Sequence, residues 1–177
     1  MTDDALPRVV IPFVRGMLRP ETRALGEQVG ADFQDLTGDD LGYSKLLARL
    51  WSQGRGFLLL EQDVAAPQEL LEEMIRCDSE WCAAFAWRFS GAVRDGESRP
   101  QHPLRERETA LFCHKFGTSL LARTQVAMIS RCAGVHWRQV DLSILPVLTA
   151  HQHDDVPHPH GPVQHLRQQH PDWVADG

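Results

Sequence analysis

Three groups of residues combine side-chain types and spacings that chemistry can use. The first is Glu61-Gln62-Asp63, which directly follows Phe57-Leu58-Leu59-Leu60. A short acidic cluster closing an apolar run can hold a hard divalent cation through oxygen. The plain alternative is that acidic residues end the run because they face water. The second is Asp141, which falls among Trp137, Val140, Ile144 and Leu145. At about 100° per residue it lies inside the apolar arc of a helix, and a carboxylate turned toward a core or cleft has to be paired, hydrogen-bonded or functional. Asp141 is therefore a candidate general base, with a satisfied structural carboxylate as the alternative. The third is the C-terminal segment, where six of the nine histidines lie between His151 and His170. Neutral imidazole is the commonest protein metal ligand, so one or two of these histidines can complete a site begun by Asp63. Pro157, Pro159 and Pro162 forbid a regular helix there, and His158 and His160 share a face only if the segment is a true strand. A disordered polar tail is the competing reading, and His151, His153 and His170 read as surface residues.

These groups need a scaffold that brings them together. Val9 to Val14 is a β-branched run that predicts a buried strand, and Pro20 suits the first turn of a helix reaching about Val29, with Gly30 as its cap. Ala31 to Leu36 is a weaker strand, and Leu41 to Trp51 places Tyr43, Leu46, Leu47 and Leu50 on one helical face. The run Gly56 to Leu60 has no polar alternation, as in a strand covered on both sides, and a helix from Pro67 to near Cys77 follows. The repeated strand-helix order predicts an α/β fold with an open, mostly parallel sheet and helices on both faces, in one compact domain over residues 1–166 with a tail over 167–177. Ligands of such sheets bind beyond the carboxyl ends of strands, which puts Glu61 to Asp63 where a site belongs. Trp81 to Phe89 alternates with period two and predicts another strand. Gly91 to Thr109 predicts a long loop, Ala110 to Cys113 a short strand, Thr118 to Ser130 a helix, and Val135 to Leu145 a helix stopped by Pro146.

Composition narrows the function classes. A chain of 177 residues can bury roughly 70% of its unfolded surface, enough for a real core. Its formal net charge is −6, so there is no basic surplus for a phosphate backbone and nucleic acid is not an expected partner. The longest apolar runs fall far short of a membrane span, and the acidic N-terminus lacks a signal peptide's basic region, so a cytoplasmic protein is expected. Cys77, Cys82, Cys113 and Cys132 show no CxxC spacing and read as reduced, small apolar residues.

Taken in order, Val9-Val10-Ile11-Pro12-Phe13, the acidic second strand and Phe57 to Val64 resemble the nucleotide-binding half of family 2 GT-A glycosyltransferases. The pattern is most similar to short phage and actinobacterial members, through a Trp81-Cys82 strand, a Lys115-Phe116 turn before a helix, Trp137 with Asp141, and Pro162-Val163-Gln164-His165-Leu166. The resemblance covers about residues 8 to 166. It implies a metal-dependent enzyme that moves a sugar from a nucleotide-diphosphate sugar to an acceptor hydroxyl on a glycan or protein, with inversion, in the host cytoplasm if phage-encoded. Pro12, Phe13 and Arg15 would then hold the nucleotide, Asp35 would read its base or ribose, and Tyr43, Lys45 and Gln62 would assist. The family's Asp-x-Asp signature stands here as Glu61-Gln62-Asp63, with the first residue changed. Asp63 would bind Mn²⁺ or Mg²⁺, His160 or His165 would join it, and Asp141 would be the base that activates the acceptor. Two other readings stay open. One is a histidine-ligated zinc hydrolase, weakened by the lack of HExxH or a metal-binding cysteine pair; the other is a non-catalytic nucleotide-binding module.

Overall fold

Alternation of side chains between two faces builds the molecule. The computed structural model describes residues 6–87, 113–150 and 158–166. Their order is β1 (Arg8–Phe13), α1 (Pro20–Gln28), β2 (Asp32–Asp35), α2 (Gly42–Gln53), β3 (Phe57–Leu60), β4 (Val64–Ala65), α3 (Gln68–Arg76), β5 (Trp81–Trp87), β6 (Cys113–Phe116), α4 (Thr118–Cys132), a 3-10 turn (Trp137–Gln139), α5 (Val140–Ala150) and β7 (His158–His165). The strands form one seven-stranded open sheet in the order β2-β1-β3-β6-β5-β7-β4. β1 pairs in parallel with β2 and β3, and β5 with β7, whereas β6 runs antiparallel to both β3 and β5, and β4 antiparallel to β7. Only β6 and β4 are thus reversed, and the expected mostly parallel α/β sheet is what forms.

In β3, Phe57 and Leu59 point to one side, into a core with Val10, Trp81 and Phe116, covered by α2, α4 and α5. Leu58 and Leu60 point to the other side, with Val9, Ile11, Cys82 and Cys113, beneath α1 and α3. Helices therefore cover both faces, and all four β3 residues are buried because each face has its own cover. Pro12 is tolerated inside β1 because the ladder to β3 matches only Arg8, Val9 and Val10, and has ended before the missing N–H. Among the described residues no helix is long and apolar enough to cross a membrane.

Several boundaries differ from the sequence expectation. The strand expected at Ala110 to Cys113 is Cys113–Phe116, so Lys115-Phe116 ends a strand and is not a turn. The last helix starts later and runs through Pro146. A helix-interior proline costs about 3 kcal/mol, and burial of Val140, Ile144, Val147 and Leu148 against α4 and the sheet offsets it. The two-residue strand β4 has too short a signal to read. The proline-rich segment after Pro157, open to reading as a polar tail, is strand β7 inside the sheet. The long loop expected over Gly91 to Thr109, His151, His153, His170 and the tail 167–177 lie outside the described residues.

Candidate functional site

Because β1, β2 and β3 run parallel, Phe13, Asp35 and Leu60 end at one edge of the sheet. The chain leaves β1 and β2 through Gly16 and Gly38, whose φ values of 80° and 79° are left-handed and cost little only for glycine. The two loops then lock together. The Arg15 amide donates to Thr37 Oγ1 at 2.9 Å, Arg15 Nε donates to Asp35 Oδ2 at 2.7 Å, and the Thr37 amide donates to Asp35 Oδ1 at 3.0 Å. The Thr37 hydroxyl and amide, and then Arg15, hold the Asp35 carboxyl below its ordinary value. Lys45 in the first turn of α2 does the same for Asp39, at 2.7 Å, helped by the Leu41 amide. Between these groups lies an open cleft of about 270 Å³ lined by Gln34, Asp35, Thr37, Asp39, Lys45 and Arg49. The Arg49 guanidinium donates to the Gln34 side-chain carbonyl.

The turn after β3 is tied to each neighbouring element. Gln62 Oε1 accepts the Val14 amide at 2.7 Å, and the Gln62 carbonyl accepts the Arg19 amide at 2.9 Å. Tyr43 at the start of α2 donates its hydroxyl to Glu61 Oε1 at 3.1 Å. The Leu166 amide donates to the Asp63 carbonyl at 2.6 Å, so the end of β7 closes beside the acidic turn. The start of the C-terminal helical region also approaches this edge, through the Trp137 amide and the Asp40 carbonyl at 3.2 Å.

Most of the residues expected at a nucleotide site are therefore gathered at this edge. Asp35 and Lys45 line the cleft, and Arg15 is held against Asp35; Tyr43 and Gln62 brace the turn that carries Asp63. Pro12 is buried, and Phe13 is half-buried with its ring edge-on to Phe33 at 6.4 Å, so both support the strand end from beneath. Asp141 lies in the first turn of α5, and its side chain is outside the described residues. His165 pairs with Val64 in the β4–β7 ladder, next to Asp63, and its side chain too is not described.

His160 is held by other partners. It is buried, and its Nδ1 lies 2.9 Å from Glu73 Oε1 while its Nε2 lies 3.2 Å from His158 Nδ1, so both ring nitrogens are engaged away from Asp63. With His158 it joins Cys77 and Cys82, two residues that spacing rules set aside as apolar filler. The alternation His158-x-His160 was the available signal, since it puts both rings on one face once the segment is a strand. Thr37 and Arg49 were also missed, because nothing local marks a loop threonine or a helix arginine as cleft-lining. Burial pushes the Cys113 thiol up to about 12 and the Cys132 thiol up to about 11, so neither offers a thiolate nucleophile.

The acidic turn suits Mn²⁺ or Mg²⁺ in donor type. Glu61 and Asp63 supply hard carboxylate oxygens, and one or two carboxylates suffice when substrate phosphates complete the shell. The group of converging metal-type side chains among the described residues does not include Asp63, so the turn is not a cage that holds such an ion unaided.

No protein-family model matches the chain, and no curated protein matches it. One solved structure that the chain matches is described as a glycosyltransferase involved in the glycosylation of the major capsid of PBCV-1. It is 10% identical, with a TM-score of 0.45 over 88% of this chain and 82% of that one. At that score and identity the likeness says nothing about site chemistry.

Proposed function

We propose that the protein is a glycosyltransferase that takes a sugar from a nucleotide-diphosphate sugar and transfers it, with inversion, to an acceptor hydroxyl. The observation that carries this reading is the cleft at the carboxyl ends of β1 and β2, polar and charged along its walls, with the acidic turn after β3 bound into the same loops. That is the position in which open α/β sheets bind nucleotides. The open sheet with helices on both faces is also what the resemblance to family 2 GT-A enzymes implies, and the same reading supplies the nucleotide-sugar donor.

Each residue has a distinct task in this mechanism. Asp35, fixed as an anion by Thr37 and Arg15, accepts hydrogen bonds from the ribose or base. Lys45 and Arg49 oppose the negative charge of the ligand, and binding draws Lys45 away from Asp39. Tyr43 holds Glu61, and Gln62 holds the β1 loop, so that the acidic turn keeps its position while charge develops. A divalent ion held by Asp63 and Glu61 would neutralise charge on the departing diphosphate. Asp141 takes the proton of the attacking hydroxyl.

The test is turnover. The protein is incubated with UDP- and GDP-sugars and simple glycan acceptors, and nucleoside diphosphate release is followed for wild type and Asp141→Asn. An amide cannot accept the proton, so the variant loses about 10²- to 10⁴-fold in rate while melting like wild type. Wild-type turnover by folded Asp141→Asn removes Asp141 from the mechanism, and no turnover of any nucleotide sugar by the wild type contradicts the assignment.

A further inference from the structure

We propose that Cys77, Cys82, His158 and His160 form a zinc site that fastens the C-terminal strand β7 to the rest of the sheet. One ligand atom from each of the four residues lies within 4.8 Å of all the others. Zinc held at about 2.3 Å from sulfur and about 2.0–2.1 Å from nitrogen sits in a tetrahedron whose edges are roughly 3.3–3.8 Å. The Cys77 Sγ to His158 Nδ1 distance is 3.4 Å and the His158 Nδ1 to His160 Nε2 distance is 3.2 Å, close to such edges before any ion pulls the ligands in.

The fold explains why these four converge. Cys77 is the residue at which α3 ends, and its extended backbone turns the chain toward β5. Cys82 is the second residue of β5, four residues further along the chain than the one that follows Cys77, a separation within the usual range for a zinc cysteine pair. In the parallel β5–β7 ladder Cys82 stands opposite His158 and Ala84 opposite His160, and residues two apart in a strand share a face. Two neighbouring elements and one strand distant in sequence thus deliver two sulfurs and two nitrogens to one point.

The surroundings are those of a ligand set. Glu73, one turn before Cys77 on α3, accepts the Nδ1 hydrogen of His160 at 2.9 Å, which leaves the Nε2 lone pair aimed at the cluster. Zinc-binding histidines are oriented by carboxylates in this way. Lys115 stands opposite Cys82 on β6, is only 4% exposed, and donates to the Cys77 carbonyl. Zinc binding displaces both thiol protons, which pass to solvent. The four protein ligands leave no open position for water, so the site is structural and offers no hydrolytic chemistry. Its consequence lies at the opposite end of β7, where the Leu166 amide meets the Asp63 carbonyl: the metal fixes the strand that braces the acidic turn.

The experiment uses the full chain, purified without chelators and analysed for metal by mass spectrometry, then stripped and titrated with Zn²⁺ and with Co²⁺. We expect one zinc per chain, and a cobalt form with sulfur-to-cobalt charge transfer and intense tetrahedral ligand-field bands. His158→Gln alters an exposed ligand with little risk to folding and lowers zinc affinity at least about tenfold, while Glu73→Gln keeps all four ligands and lowers it about 10- to 100-fold. Metal-free protein that does not take up Zn²⁺, a cobalt spectrum without sulfur bands, or a Cys77–Cys82 disulfide in protein kept from oxidants would each overturn the proposal. So would unchanged zinc affinity in both variants.

Discussion

Replacing Thr124 with valine tests whether α2, which carries Tyr43 and Lys45 at its start, is anchored at its far end by one buried polar contact. Thr124 in α4 is fully buried; its Oγ1 accepts the Trp51 indole N–H at 2.9 Å and donates to the Leu120 carbonyl at 2.7 Å. Trp51, near the end of α2, is also fully buried, with its ring centre 5.0 Å from that of Phe116 and 5.4 Å from that of Phe57. Valine has nearly the same shape as threonine and a similar helix propensity, so the substitution opens no cavity. What it removes is the acceptor for the indole. A buried unpaired donor costs about 1–3 kcal/mol, and the added methyl returns roughly 0.8 kcal/mol, leaving a net loss near 1 kcal/mol. For a domain of this size that lowers the melting temperature by about 2–4 °C. Urea denaturation of Thr124→Val, Trp51→Phe and the double variant isolates the pair, with an expected coupling of about 0.5–1.5 kcal/mol. A Thr124→Val protein that melts at or above wild type, or single effects that simply add, refutes the reasoning.

Two further outcomes follow from the same geometry. Gly26→Ala places a Cβ 2.5 Å from Ile11 Cδ1 and from Phe33 Cζ, and since Ile11 is wholly buried and the Phe33 ring is rigid, the clash is not relieved freely. Overpacking of about 1–3 kcal/mol exceeds the roughly 1 kcal/mol gained in helix propensity, so the urea midpoint falls; an unchanged or higher midpoint contradicts this. The Asp35 carboxyl titrates below its ordinary 3.8, so its stabilisation is fully present above that value and is lost as pH falls through the lower folded value. Wild type therefore loses stability more steeply than Asp35→Asn on acidification below 3.8, measured by urea midpoints along that range, and identical acid limbs would count against it.

What the sequence discloses and what it hides follow one physical division. β3 and α2 are legible because their signals are local: Phe57 to Leu60 has no polar residue, and Leu46, Leu47 and Leu50 repeat at helical spacing. β4 and β7 owe their existence to each other and to β5, long-range pairings that no local pattern encodes. The proline-rich composition of β7 even argues against a strand, and the shortness of β4, which pairs only with Gln164 and His165, together with the irregular register between Ala84 and Ala86, is what accommodates it. Pro146 misplaces the end of α5 because a local penalty is weighed without the burial that outweighs it. The same division runs through the chemistry. Asp35 and Asp63 stand out as acidic residues at strand ends, whereas Thr37 and Arg49 acquire a role only when loop and helix fold over the same cleft. The Cys77–Cys82 spacing carries no assignment by itself, because the two histidines that lie with it come from a strand that the sequence conceals.

The assignment of a nucleotide site to the edge formed by β1, β2 and β3 is tested most directly by calorimetric titration of UDP and GDP, with and without Mn²⁺, into wild type and Asp63→Ala. Asp63 follows a strand buried on both faces, so its side chain can be removed without opening the core, and the variant should melt like wild type. The prediction is Mn²⁺-dependent binding of at least one nucleotide to wild type, weakened at least about tenfold, or roughly 1.4 kcal/mol, in Asp63→Ala. Equal affinity in the two proteins, or no binding of either nucleotide to wild type in the presence of Mn²⁺, would contradict it.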